Sequence, residues 1–219
     1  MCNRYTTPEL RELEYAWDLG TTLPLFPRRE VFPRAPGLFI RKSKAAAHAA
    51  EGVVGRWGLV PFFAKTVDLP YSTNNARFEE LSSKPTFRDA WRKGQRCIIP
   101  AEEFLEPCWE TGKNVWWKFR RADGLPFALA GLWNTWTDHL TGEQFETYTM
   151  LTQNADASPL MSRMHRPDPH LPPDKQDKRS VVVLDKADLD AWLHGTQPQA
   201  AACVRVAPDE LFDAAPASP

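Results

Sequence analysis

The sequence predicts an α+β fold with a single domain, built on antiparallel β-sheets with a few helices at their edges. Two observations support this prediction. Short runs rich in valine, isoleucine and aromatic residues recur along the chain, each bounded by glycine, proline, aspartate or asparagine, as strands joined by turns are. The chain has 219 residues, of which 42% are hydrophobic and 25% are charged, and this size and composition suit one ordinary globular domain.

Six segments have the strand pattern and three have helix start and stop signals. The predicted strands span residues 52–61, 96–100, 115–120, 126–133, 145–152 and 180–184. The first predicted helix begins at Thr7, a residue type favoured at helix N-termini, and stops at Gly20. The other two helices cover residues 86–93 and 185–193, and a glycine lies just beyond each.

Two segments have neither pattern. Residues 166–178 contain four prolines and no apolar periodicity, which predicts a loop. We expect the domain to cover residues 1–212 and the tail, residues 213–219, to be disordered.

No apolar run approaches the about 18 residues that span a bilayer, and the N-terminus lacks the apolar core of a signal peptide. A cytoplasmic protein is therefore expected.

Charge and cysteine content narrow the possible partners only a little. The formal net charge of −1 does not indicate a nucleic-acid partner. Residues 28–56 are locally basic, with seven arginines and lysines against two glutamates. This segment either contacts the phosphates of a nucleic-acid backbone or forms a solvated basic loop. The four cysteines are widely spaced, without the C-x-x-C spacing of zinc or redox sites. We expect free thiols, no metal and no cofactor.

Cys2 can become the first residue of the mature chain. Methionine aminopeptidases remove Met1 when a small residue follows it, which leaves an amine and a thiol on adjacent carbons. The pKa of an α-amine is about 7.7–8.0 and that of a cysteine thiol about 8.5, so both are candidate nucleophiles. With an aldehyde, the amine forms a Schiff base and the thiol then closes a five-membered thiazolidine. Alternatively, Cys2 is only the second residue of a frayed terminus.

Asn75 and Arg77 lie in a polar connection that follows a predicted strand. An amide can hold a substrate hydroxyl or aldehyde oxygen, and a guanidinium can bind a phosphate with two hydrogen bonds. Asparagines in loops are more often turn formers.

His165, directly before the proline-rich loop, is the best candidate for a proton-transferring imidazole among five histidines, although a lone histidine is more often structural.

Glu106 ends a run that begins as a buried strand. Its apolar neighbours Leu105 and Pro107 should raise the pKa of its carboxyl, which suits a general acid or base. The alternative is a surface glutamate in a turn. Glu102 and Glu103, which precede it, are expected to face water.

A series of motifs in a fixed order covers the chain from Met1 to about Leu211. The motifs are Met1-Cys2-Asn3-Arg4-Tyr5, Arg56-Trp57-Gly58-Leu59-Val60-Pro61, Asn75-Ala76-Arg77, Phe87-Arg88, Arg96-Cys97-Ile98-Ile99-Pro100 leading to Glu106, Ala130-Gly131-Leu132-Trp133, Leu151-Thr152, a histidine, and Val181-Val182-Val183-Leu184. In this order and spacing they resemble the SRAP family, the SOS-response-associated peptidase-like proteins. The resemblance implies an SRAP-like single α+β domain with a positively charged groove for single strands.

The resemblance also implies a DNA-damage function: covalent capture of abasic sites in single-stranded DNA through a thiazolidine that shields the lesion. Cys2 would be the nucleophile and Asn75 would orient the ring-opened sugar. Glu106 would act as acid or base, and His165 would donate a proton to the sugar oxygen. The expected protein is a monomer that associates with the nucleoid when it is bound to DNA.

The DNA-binding residues that the resemblance implies are Arg4, Trp57, Phe62, Phe63, Arg77 and Thr152. The two arginines match positions that hold the DNA backbone. The two phenylalanines match aromatic residues that wedge against an unpaired base, where stacking contributes to affinity.

Two departures from the family pattern affect the site. Asn3 replaces the glycine that usually follows the cysteine. The proline-rich insertion separates His165 from the last strand and contains a second histidine, His170. The proton donor is therefore one of these two, and the spacing from Thr152 favours His165.

Two other functions stay open: an N-terminal-nucleophile hydrolase or peptidase, and a non-covalent binder of single-stranded or modified DNA. An abasic-site lyase activity through the Schiff base is a further possibility.

Overall fold

The computed structural model describes residues 2–17, 23–44 and 50–217. Its strands are β1 (Tyr5–Thr6), β2 (Glu30–Val31), β3 (Pro36–Lys42), β4 (Ala50–Trp57), β5 (Asn75–Arg77), β6 (Arg96–Ala101), β7 (Glu103–Cys108), β8 (Val115–Arg121), β9 (Phe127–Thr137), β10 (Gln144–Asn154), β11 (Arg179–Val181), β12 (Val183–Leu184) and β13 (Phe212–Pro216). Its α-helices are α1 (Leu10–Ala16), α2 (Pro85–Arg92), α3 (Leu189–His194) and α4 (Gln197–Ala202). None of the helices within these described ranges is long and apolar enough to cross a membrane.

The strands form two sheets, and the larger one closes on itself. The smaller sheet has the order β13-β8-β7-β1-β2, and the larger has the order β11-β10-β4-β3-β6-β9-β12. Because β9 also pairs with β10, the path from β10 through β4, β3, β6 and β9 returns to β10. Closure of this kind leaves fewer exposed strand edges.

Alternation along the strands of the larger sheet explains why apolar side chains occupy both of its faces. Successive residues of a strand point to opposite faces. On β6, Ile98 packs in one core cluster with Trp91 of α2 and Trp192 of α3. Its neighbours Cys97 and Ile99 pack in the other cluster, which includes the apolar side chains of the smaller sheet. The larger sheet is therefore buried on both faces.

A tyrosine pair links the two sheets close to the N-terminus. The hydroxyl groups of Tyr5 on β1 and Tyr148 on β10 lie 2.5 Å apart, and both side chains are fully buried. A Cβ atom at Gly37 would collide with both hydroxyl groups, so the approach of β1 to the larger sheet requires glycine there. This pair fixes β1, and with it the position of Cys2, between the sheets.

The prediction of an α+β fold on mainly antiparallel sheets is confirmed, with the parallel pairs β10–β4 and β10–β5 as exceptions. Each predicted strand and helix overlaps an observed one. The first helix begins at Leu10, later than predicted, and Gly20 lies outside the described residues. The third is shorter, because a 3₁₀ turn over Lys186–Asp188 precedes α3. Not predicted were the strands β1, β2, β3, β5, β7 and β13 and the helix α4.

One prediction and one alternative about loose segments are contradicted by the structure. The tail was expected to be disordered from residue 213, but Phe212–Pro216 forms β13 and pairs with β8 along its whole length. The basic segment 28–56 is not a solvated loop, because much of it forms the β3–β4 pair. Within it, Arg41 is 5% exposed and bridges the carboxylates of Glu51 and Glu146, each at 2.8 Å.

Candidate functional site

Cys2 lies just before β1 and is held by two amides from the larger sheet. The Nδ2 atom of Asn75, the first residue of β5, donates to the carbonyl oxygen of Cys2 at 2.6 Å. The Nδ2 atom of Asn74 donates to the same oxygen at 3.3 Å and to Oδ1 of Asn3 at 3.0 Å. Cys2 is fully buried, so in this structure it is not part of a frayed terminus.

The environment of the Cys2 thiol disfavours its ionisation. Burial raises the pKa of the thiol well above its ordinary value, and the negative charge of Glu106 raises it further. A hydrogen bond from Sγ to the carbonyl oxygen of Arg4, at 3.5 Å, is also present. The thiol is therefore protonated at neutral pH.

Glu106 and His165 form a hydrogen-bonded pair beside Cys2. Glu106 lies within β7, which pairs with β8 and with β1, and it is 1% exposed. Its Oε2 atom lies 2.8 Å from Nε2 of His165. The alternative of a surface glutamate in a turn is thereby excluded. The expectation for Glu103 is also wrong, because this residue is buried on β7 and paired with Arg120.

The expected rise in the pKa of Glu106 is not observed. Burial raises the pKa of its carboxyl, but the positive charges of the chain's amino terminus and of His165 together lower it by more, so that it lies below its ordinary value. The apolar neighbours of Glu106 along the chain indicate only the effect of burial, whereas the cationic groups that lower the pKa are brought near by the fold. Glu106 is a carboxylate at neutral pH, and it is suited to accept hydrogen bonds and protons.

His165 has an unusual backbone conformation, and both its backbone N–H and its imidazole ring make hydrogen bonds. Its φ is 60°, in the left-handed region that non-glycine residues seldom adopt. Its N–H donates to the carbonyl oxygen of Pro107 at 2.7 Å, which joins it to β7. The Nδ1 atom is buried with no hydrogen-bond partner. His170 is exposed in the proline-rich loop, and the geometry favours His165 over it as the proton donor.

The two arginines expected to bind the DNA backbone both lie at the surface, and each is already paired with a carboxylate. Arg4 donates through Nε to Oε1 of Glu30 at 2.7 Å. Arg77 lies 2.8 Å from Oδ2 of Asp177. Both arginine side chains are about two-fifths exposed, at 42% and 40%, so a phosphate can reach them if it replaces these carboxylates.

The expected aromatic contacts divide into exposed and buried groups. Phe62 and Phe63 are 59% and 48% exposed, and their rings meet edge to face with centroids 5.4 Å apart. Trp57 is fully buried and donates from Nε1 to the carbonyl oxygen of Asn74 at 2.8 Å, so it supports the loop that holds Cys2. Thr152 is 1% exposed on β10. The structure thus does not present Trp57 and Thr152 at the surface.

Three residues that border the site were not predicted from the sequence. Asn74 directly precedes Asn75 in the polar connection, and its side chain contacts Cys2. Asp177 and Lys178 end the proline-rich loop, where Asp177 pairs with Arg77 and Lys178 contacts the backbone of His165. No local sequence signal marks the last two residues, because their contacts depend on how the loop returns to the sheet.

Solved structures of other proteins share this fold. A protein of Bordetella bronchiseptica with a solved crystal structure has the same fold with a TM-score of 0.85 and 32% identity, over 99% of this chain and 100% of that one. A Bacteroides thetaiotaomicron structure, at 22% identity and a TM-score of 0.77 over 97% of this chain and 90% of that one, shares the fold.

Two relatives in sequence are named abasic site processing proteins. YoqW of Bacillus subtilis is 34% identical over 142 residues, which are 64% of this chain and 55% of YoqW. HMCES of Xenopus tropicalis is 26% identical over 152 residues, 58% of this chain and 44% of HMCES. The matches thus span about half the length of these relatives. The family model described as "SOS response associated peptidase (SRAP)" matches residues 1–219, and the chain therefore belongs to the SRAP family.

Proposed function

We propose that this protein captures abasic sites in single-stranded DNA by forming a covalent bond through Cys2. The observation that carries the proposal is the surroundings of Cys2: the Asn75 amide lies 2.6 Å from its carbonyl oxygen, and the charge of Glu106 is close enough to raise the pKa of its thiol. Glu106 in turn is hydrogen-bonded to His165. The names of YoqW and HMCES, abasic site processing proteins, support the choice of an abasic site, whose ring-opened form is an aldehyde.

The protonated state of the thiol suggests the order of the steps. After removal of Met1, the α-amine of Cys2 adds to the aldehyde carbon, and loss of water leaves a Schiff base. The thiol sulfur then adds to the imine carbon while its proton moves to the nitrogen, which closes the thiazolidine without any oxidant or reductant. Because burial raises the pKa of the thiol, the amine is the first nucleophile, and the sulfur reacts only when the imine carbon is next to it.

Glu106 and His165 divide the proton transfers between them. The Glu106 carboxylate, whose pKa lies below its ordinary value, accepts a proton from the attacking amine. His165 donates a proton to the sugar oxygen when the ring opens, and Glu106 holds its Nε2 atom in place. The amide of Asn75, whose Oδ1 is buried with no partner, has one acceptor free for a hydroxyl group of the opened sugar.

The surface around the site suits a single DNA strand. Arg4 and Arg77 exchange their carboxylate partners for phosphates, and Phe62 and Phe63 offer exposed rings on which a base can stack. A cavity of about 120 Å³ next to Asn74 is lined in part by Arg34 and Tyr71. A cation and an aromatic ring together suit a flanking nucleotide.

A denaturing gel tests the proposal. The mature protein, whose loss of Met1 is checked by mass spectrometry, is incubated with a single-stranded oligonucleotide that contains one abasic site. We expect a stable adduct with the wild-type protein. Cys2→Ala keeps the α-amine but lacks the thiol, so it should give an adduct only after reduction with borohydride. Cys203→Ala, which removes another buried thiol, is the matched control and should react like the wild type.

Two outcomes would contradict the proposal. One is the absence of any adduct with the mature wild-type protein. The other is a stable adduct with Cys2→Ala that forms without borohydride and in wild-type amounts. If both proteins bound the DNA with equal affinity without borohydride and neither formed an adduct, the protein would instead be a non-covalent DNA binder.

A further inference from the structure

Lys178 is a buried lysine whose ammonium group contacts the backbone of the candidate proton donor. The residue is 6% exposed. Its Nζ atom donates to the carbonyl oxygen of Met164 at 2.6 Å and to that of His165 at 2.8 Å. A buried ammonium group is costly unless it is well paired, and the hydrogen bonds to these two carbonyl groups offset this cost. Backbone carbonyls paired in this way cannot rotate freely.

The backbone that Lys178 contacts includes the unfavourable conformation of His165. His165 has a φ of 60°, and a non-glycine residue keeps that conformation only when its surroundings hold it. The N–H of His165 donates to Pro107 on β7, while its carbonyl oxygen accepts from Lys178. The peptide groups on both sides of the Cα atom are therefore fixed, and this determines where the imidazole points.

Lys178 is itself fixed to the larger sheet. Its N–H donates to Oδ1 of Asp156 at 2.7 Å, and its carbonyl oxygen accepts from the N–H of Ala155 at 2.7 Å. The side chain thus connects the end of β10 with the His165 backbone across the base of the proline-rich loop. Burial lowers the pKa of the ammonium group, and the nearby carboxylate of Asp156 counteracts this.

We propose that Lys178 is a positioning residue for His165: its ammonium group holds the two carbonyl groups that orient the imidazole toward Glu106. The role of His165 in the reaction rests on the proposed function, but the orientation of its imidazole does not. Lys178 acts through the backbone of His165 and is not expected to touch DNA.

A double-mutant cycle tests this role. Single-turnover rates of adduct formation are compared for the wild type, Lys178→Met, His165→Ala and the double variant. We expect Lys178→Met to react about ten- to a hundredfold more slowly, as for other small misplacements of a reacting group. The double variant should be no slower than His165→Ala, because Lys178 acts only through His165. Lys175→Met, an exposed lysine in the same loop, is the control and should keep the wild-type rate.

A second measurement needs no DNA. The nitrogen chemical shifts of the His165 imidazole report its hydrogen bond to Glu106 in the free protein, and they should change in Lys178→Met but not in Lys175→Met. This readout separates the present inference from the proposed function, since it holds even if the wild type forms no adduct.

Three results would overturn the inference. They are unchanged imidazole shifts in Lys178→Met, a wild-type rate in that variant while His165→Ala is slow, and a double variant slowed by the product of the two single effects. If Lys178→Met does not fold, Lys178→Gln, which keeps a neutral donor, enters the same cycle. Failure of both variants to fold would assign Lys178 to the stability of the domain and would also overturn its role at His165.

Discussion

The carboxylate of Glu106 and the imidazole of His165 lie 2.8 Å apart although 59 positions separate them in the sequence. Each is held by its own element: Glu106 by the centre of β7, and His165 by hydrogen bonds from its backbone to Pro107 and Lys178. Charge-assisted hydrogen bonds of this kind are among the stronger ones in proteins. The pair therefore contributes to both the chemistry and the stability of the site.

Glu106→Gln should show the stability contribution through its pH dependence. Because the pKa of Glu106 in the folded protein lies below the ordinary value of 4.5, its ionisation stabilises the fold above about pH 4.5, and this contribution is lost as the pH falls through the lower folded-state value. The difference in free energy of unfolding between the wild type and Glu106→Gln should therefore shrink as the pH falls below that value.

Urea unfolding of both proteins at a series of pH values measures this difference. Glu143→Gln, which changes an exposed glutamate, is the control and should show little pH dependence. A difference between the wild type and Glu106→Gln that grows on acidification would mean that the folded-state pKa is raised, contrary to the structure.

Asn75→Asp should slow adduct formation strongly. The substitution removes the Nδ2 donor that holds the Cys2 carbonyl at 2.6 Å and places a carboxylate oxygen next to that carbonyl oxygen. Only the longer hydrogen bond from Asn74, at 3.3 Å, would remain to this buried oxygen. The loss of the shorter hydrogen bond together with the new carboxylate should cost about 1–3 kcal/mol, so the N-terminal residue should lose its fixed position and the rate should fall by about tenfold or more. Asn114→Asp makes the same charge change at an exposed site, and equal rates in the two variants would contradict the role of Asn75.

The antiparallel framework could be predicted because long strands have a clear local pattern. Strands β6, β9 and β10 are rich in β-branched and aromatic residues, and their predicted ranges lie close to the observed ones. Short strands such as β1 and β5 have too few residues to show alternation, and only their pairing with distant strands defines them. The tail strand β13, with a sequence typical of disorder, likewise depends on its pairing with β8.

The candidate site was predictable in its residue types but not in its electrostatics. The motifs around Cys2, Asn75, Glu106 and His165 select residues that the fold brings together. The direction of the Glu106 pKa shift could not be predicted from its sequence neighbours, because the amino terminus and His165, whose positive charges lower it, are both distant from Glu106 in the chain. The same holds for the buried position of Trp57, which lies at the end of β4 beneath the loop of Asn74.

Asp177→Asn should strengthen the binding of single-stranded DNA. Asp177 lies 2.8 Å from Arg77, so a phosphate that binds Arg77 has to displace it. Surface pairs of this kind contribute about 0.2–1 kcal/mol, which predicts a roughly one- to fivefold gain in affinity. Fluorescence anisotropy in a Cys2→Ala background, which excludes stable covalent capture, measures the dissociation constant. Asp174→Asn, an exposed aspartate of the same loop, controls for net charge; an equal gain there would show that Asp177 does not compete at Arg77.

Phe62→Ala should weaken DNA binding without destabilising the fold. The Phe62 side chain is 59% exposed, so its removal creates little or no cavity, and the melting temperature should stay close to that of the wild type. Stacking of one base on an aromatic ring contributes about 1–3 kcal/mol, so the dissociation constant for single-stranded DNA should rise by about fivefold or more. Leu140→Ala removes another exposed apolar side chain, 96% exposed, and should leave binding unchanged. If Phe62→Ala bound DNA as tightly as Leu140→Ala, the strand would not pass over the Phe62–Phe63 pair.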